Sequence, residues 1–143
     1  MPLTREERMQ FLSEPHIGAL SVDAGEGGAR GPLTVPVWYA YERGQDLLVL
    51  TERDSRKAQL IAKAGRFSLL AERVDPTVRY VSVEGPVTET RTGTRDDLRR
   101  MTARYLAPER VADYLEFADR EHGEYVLIHM RPEHWLSADL GPQ

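Results

Sequence analysis

No cysteine occurs in the 143 residues, which removes disulfides, thiolate metal sites and cysteine nucleophiles from consideration. That absence fits a reducing, cytoplasmic setting. No apolar run approaches the ~20 residues of a membrane span. Met1 is soon followed by the polar run Thr4-Arg5-Glu6-Glu7-Arg8, so neither a membrane partner nor a secretory leader is expected. Positive charge is also in deficit, with a net charge of −4 and a pI ≈ 5.6. A bulk nucleic-acid role is therefore not expected, and any anion must be held by a local basic site. Missing too are a G-x-S-x-G elbow, a P-loop and an H-E-x-x-H helix, which leaves hydrolase and kinase chemistry without residues. His129, Glu133 and His134 lie close in sequence, but Pro132 interrupts them. They lack the spacing of helical metal ligands, and no metal is expected.

What is present describes one domain of ordinary globular composition, 41% hydrophobic and 29% charged. A chain of this length buries roughly two-thirds of its unfolded surface and can hold a core unaided. Thr4 and Glu7 form a capping box for a first helix that buries Met9 and Leu12 and stops at Pro15. Strands are expected at 16–22, from Leu33 to Tyr41, at 46–51, 67–71, 78–88 and 125–130, with a further one at 134–138. Glu42-Arg43-Gly44-Gln45 closes a hairpin, and Gly85-Pro86 marks a bend or edge in the longest strand. A helix runs from Asp54 or Ser55 to about Ala64, with Ala58, Ile61 and Ala62 inward. Two more helices carry Leu98, Met101, Thr102 and Tyr105, then Val111, Tyr114, Leu115 and Ala118, at i, i+3, i+4, i+7 spacing. Grouped helices among hairpin-linked strands predict an α+β fold: a six- to seven-stranded antiparallel barrel, closed or split, with flanking helices.

The most informative stretch is Gly31–Lys57. Two paired strands lead into a helix that opens on Ser55-Arg56-Lys57. Cations at a helix start oppose the macrodipole by a few tenths of a kcal/mol. A bound phosphate would reverse that, since helix N-terminal N–H groups favour anions; otherwise the two side chains simply extend into water. Pro36 removes one ladder donor and marks an edge or bulge. Trp38 shares its face and is either core or the wall of a ring site. Thr51 ends the second strand just before the basic turn. Arg53, Arg56, Lys57, Lys63 and Arg79 concentrate positive charge in an otherwise acidic chain. No acid–base constellation stands out, although Tyr39, Tyr41 and Tyr80 are conceivable proton donors.

The ordered segments Gly31–Tyr39, Leu47–Thr51, Ser55–Ala58, Tyr80–Val87 and Arg131–Trp135 resemble the pyridoxamine 5'-phosphate oxidase-like superfamily, the split β-barrel flavin and deazaflavin oxidoreductases. The resemblance covers nearly the whole chain. It implies a homodimer with cofactor sites at the subunit interface, taking coenzyme F-420 or FMN, and a small-molecule substrate reduced by hydride. On these positions, Val35, Pro36, Val37 and Trp38 would line the ring, with Thr51 near the ring or phosphate. Ser55, Arg56 and Lys57 would hold the phosphate, while Tyr80 and Trp135 would come from the partner subunit. The longer C-terminal segment of vitamin B6 oxidases is not matched, so the likeness runs to the small F-420- or FMN-binding members. Some related barrels bind haem, and a non-enzymatic flavin or haem binder using His16 or His129 as axial ligand is the alternative.

Overall fold

Alternation along the strands sets the plan of the molecule. The computed structural model describes residues 1–142. Among them the order is α1 (Arg5–Ser13), β1 (Gly18–Val22), β2 (Leu33–Val37), β3 (Tyr39–Ala40), β4 (Leu47–Glu52) and α2 (Arg56–Ala64). Then follow β5 (Arg66–Arg73), β6 (Val78–Thr92), α3 (Arg95–Tyr105), α4 (Pro108–Glu121), β7 (Tyr125–Met130) and β8 (His134–Gly141). Every strand pairing is antiparallel. One half of the sheet runs β2-β1-β5-β6, with β8 on the other side of β6; the second runs β6-β7-β4-β3. The 15-residue β6 belongs to both halves. The α+β split barrel expected from the sequence is the observed fold.

Two breaks create the split. The run expected as one strand from Leu33 to Tyr41 divides at Trp38: β2 pairs with β1, whereas β3 pairs with β4. The chain thus crosses between halves at that residue. Pro36 lies on β2 at the end of the sheet order, where its missing N–H disturbs no second partner. The second break is at Gly85-Pro86, where β6 changes partners. Arg131 N–H donates to the Pro86 carbonyl at 3.0 Å and Glu133 N–H to the Glu84 carbonyl at 2.9 Å. The backbone of Arg131 consequently crosses directly over Gly85.

The main core fills the barrel with Leu20, Tyr39, Leu47, Val49, Leu69, Val81 and Ile128, closed by Phe11 and Leu12 of α1 and by Ala58, Leu60 and Ile61 of α2. Two details differ from the sequence reading. Ala62 is exposed and Leu60 takes the inward position, while Met9 is only half-buried beside the fully buried Phe11. A smaller cluster of Leu98, Leu115 and Ala118, packed with Leu50, Tyr114 and Tyr125, lies between α3, α4 and the outer face of β4 and β7. The helix faces read from spacing are therefore real, but they cover the outside of a sheet. That placement makes the site.

Candidate functional site

The chain crosses between barrel halves at Trp38, and α3 and α4 close over the crossing. A cavity of about 380 Å³ remains between them. On the sheet side its wall is Pro36 and Val37 of β2, Leu50, Thr51 and Glu52 of β4, Ile17 just before β1 and Trp38 between β2 and β3; α2 contributes Lys57. Leu98, Met101, Tyr114, His122 and Tyr125 complete it from the helical side and β7. Its size is within the usual range for small-molecule sites, and its lining is mostly apolar with a few polar groups.

Trp38 is held flat on that wall. Tyr105 stacks on it at 4.9 Å with the rings 13° apart, and Tyr114 lies tilted at 5.4 Å. Tyr105 is itself fixed: its hydroxyl oxygen accepts from Tyr39 N–H at 3.1 Å, with the His16 carbonyl at 2.7 Å as acceptor for its proton. Burial raises the Tyr105 phenol above its ordinary value. At the other end, Ser55 caps α2, its Oγ accepting from Ala58 N–H at 3.2 Å and lying 3.3 Å from Thr51 Oγ1. The Thr51 side chain is thereby tied to the helix start that the sequence singles out.

Lys57 occupies the second position of α2. Among the described residues its ammonium has no hydrogen bond or ion pair, yet it is half-buried in the cavity wall. Burial lowers its pKa, opposed by the Glu52 carboxylate. Glu52 is already engaged, accepting from Gly123 N–H at 2.8 Å through Oε1. A desolvated, unpaired cation at a helix N-terminus is a place where an anion is favourable.

Residues 4–138 match the family described as Pyridoxamine 5'-phosphate oxidase. The chain belongs to this family. Solved structures agree on the fold. A conserved hypothetical protein from Mycobacterium tuberculosis is 24% identical, with 96% of this chain and 85% of that one covered and a TM-score of 0.70. An F420 reductase is 21% identical over 88% of this chain and 93% of its own, with a TM-score of 0.64. The FAD binding protein from Mycobacterium smegmatis is 14% identical over 98% and 99%, with a TM-score of 0.61. No curated protein matches the chain.

Within this oxidase-family barrel the expected site residues divide. Pro36, Val37, Trp38, Thr51 and Lys57 line the cavity together. Ser55 stands behind them as the cap, and Arg56 is exposed beyond the rim. Val35 packs against the main core. Tyr80 lies on the outward face of β6, between Glu72 and Ala138. Trp135 pairs with the buried Val83 and is covered by the Arg8 guanidinium 4.7 Å above its ring. Of the basic stretch, Arg53 pairs with Glu124 at 3.6 Å and Arg79 with Asp139 at 2.8 Å, so neither is free to serve the cavity. Neither His16 nor His129 lines it. His16 stacks on Phe11 at 4.2 Å, and His129 lies 3.3 Å from Glu89 and 3.9 Å from Asp46. The sequence reading missed the α3 and α4 residues and the His122–Tyr125 pair; their helical spacing marked a buried face without saying what it faced.

Proposed function

We propose that this chain is a cytoplasmic, dimeric oxidoreductase that binds a flavin or deazaflavin, coenzyme F-420 or FMN, and reduces a small unsaturated or planar substrate. The carrying observation is Lys57, unpaired and half-buried beside the flat wall of Trp38. The residues fit such a group: the indole and Val37 suit an apolar ring, and the start of α2 suits a phosphate. The bound cofactor would supply hydride. The chain would orient it, exclude water and complete the hydrogen bonding around it. With Arg53 and Arg79 engaged elsewhere, support for the polyanionic F-420 rests on Lys57 and the exposed Arg56 rather than on a long basic groove. Lys57→Ala should weaken binding by about 1.5–3 kcal/mol, roughly ten- to a hundredfold, with little change in melting temperature. Fluorescence titration with F-420 and with FMN reads this directly.

Support for the dimer comes from the outer face of the β2-β1-β5-β6-β8 half. Pro36, Ala19, Leu70, Ser82 and Leu136 form one row across its strands. Leu136 is 65% exposed and Leu70 38%. Pro36 at the other end of the row is exposed as well. Pro36 belongs both to the row and to the cavity lining, so a second copy seated there would border the cavity. Tyr80, one step along the same face, would then meet the partner. Apolar surface of this kind is what association buries. Leu136→Asp is expected to convert the dimer to monomer in sedimentation at unchanged melting onset of the protomer. A wild-type monomer at tens of micromolar would remove the interfacial site.

A further inference from the structure

We propose that Tyr125 is the proton donor to the substrate in the cavity and that His122 is the positioning residue that resupplies it; this rests on the reductase reading above. Both line the cavity. The His122 Nδ1 atom and the Tyr125 hydroxyl are hydrogen-bonded to each other. Both backbones are anchored. His122 ends α4, its N–H donating to the Ala118 carbonyl at 2.9 Å, and the Tyr125 carbonyl accepts from Gly93 N–H at 2.8 Å. Phe117 meets the imidazole edge-on at 5.5 Å.

The same two residues also line a second, neighbouring hollow of about 330 Å³, with Thr94, Asp119 and Glu124 among its polar walls. They therefore border both spaces. A donor that must be recharged from solvent needs that arrangement. The groups around the pair are Tyr114 and Asp119 of α4, Glu52 of β4 and Lys57 of α2. Asp119 is ion-paired with Arg95 and Glu52 is held by Gly123 N–H, so neither competes for the Tyr125 proton. Burial, aided by Tyr114, Glu52 and Asp119, pushes the Tyr125 phenol up to about 12, which keeps its proton in place until a stronger base forms.

An enone supplies such a base. On accepting hydride from a reduced deazaflavin or flavin at its β-carbon, it becomes an enolate. The Tyr125 O–H bond then breaks as a C–H bond forms at the α-carbon. The phenolate takes the Nδ1 proton of His122 as Nε2 gains one from solvent through the outer hollow, so the ring stays neutral and changes tautomer. One hydride and one proton are thus added across the C=C bond. A quinone differs: after hydride transfer its hydroquinone oxygen is protonated readily by water, so the relay is dispensable.

The experiment uses the full chain with reduced F-420 or reduced FMN and two probes, cyclohex-2-enone and menadione. Tyr125→Phe should lower kcat for the enone about a hundredfold with KM little changed. Because Tyr125 also lines the cavity, menadione reduction should fall too, but at least about tenfold less than enone reduction. His122→Ala should give a smaller enone-specific loss, partly restored by free imidazole. Without any cofactor, proton NMR should show a downfield exchangeable proton that disappears in both variants. Equal losses on both probes, full enone activity in Tyr125→Phe, or no such proton in the wild type would overturn the relay. Turnover of menadione alone by the wild type would also overturn it while leaving the reductase reading intact. Failure on both probes would overturn the two together.

Discussion

Gly85→Ala is expected to lose roughly 3 kcal/mol of stability or more and to lower the melting temperature by about 10 °C. The cause is a backbone crossing rather than a turn. A Cβ at position 85 would overlap the Arg131 carbonyl oxygen and lie 2.9 Å from its carbonyl carbon. Neither atom is the end of a flexible side chain. They belong to the segment joining β7 to β8, which is tied to β6 on both sides by the bonds to Pro86 and Glu84. Relief would require moving β7 or β8 off β6, and β6 is the strand that both barrel halves share. A thermal melt of Gly85→Ala beside wild type checks this; a shift of only a degree or two would show that the crossing relaxes freely.

Arg104→Met should cost about 2–4 kcal/mol. The guanidinium donates from Nε to the Tyr39 carbonyl at 2.7 Å, from Nη1 to the Ser13 carbonyl at 3.1 Å and from Nη2 to the Glu14 carbonyl at 3.1 Å. It thereby joins α3 to β3 and satisfies carbonyls at the C-terminal end of α1. Each bond to a charged donor is worth about 1.5–3 kcal/mol, but bonds sharing one side chain do not add. The Tyr105 hydroxyl, whose proton goes to the His16 carbonyl at 2.7 Å, also lies 3.0 Å from the Tyr39 carbonyl. It can turn its proton there once the guanidinium is gone, which limits the loss. Methionine retains most of the apolar stem, so the variant isolates the hydrogen bonds. Lysine should rescue poorly, since one ammonium cannot present donors in the fork that reaches three carbonyls. Urea unfolding of Arg104→Met and Arg104→Lys measures both statements. The same loss should reach the cavity, because Tyr105, on the adjacent position of α3, stacks on Trp38.

Much of this architecture was legible because it depends on local patterns. Period-two alternation gave the buried faces of β1, β2 and β4, the Thr4–Glu7 capping box gave α1, and Ser55 with Gly65 bounded α2. The helix start brought Lys57 to the cavity for the same local reason. What the sequence concealed is long-range. The turn at Trp38 is invisible in a run whose alternation continues through Tyr41, since only the change of pairing partner divides β2 from β3. Likewise the spacing of Leu98, Met101, Thr102 and Tyr105 marks an apolar helix stripe, but not that it roofs the outer side of β4. His122 and Tyr125 come from a loop and a strand start, and Glu52 meets that loop from a distant position in the chain. Basic residues were equally misleading in one dimension, for Arg53 and Arg79 have carboxylate partners of their own.

In the proposed function, Lys57 and the Trp38 wall hold a phosphate-bearing flavin or deazaflavin. Equilibrium titration of purified wild type and Lys57→Ala with F-420 and with FMN, followed by cofactor fluorescence, tests it most directly. Wild type should bind at least one cofactor at micromolar affinity or tighter, and the variant about ten- to a hundredfold more weakly. Failure of wild type to bind either, or equal affinity in Lys57→Ala, would contradict it.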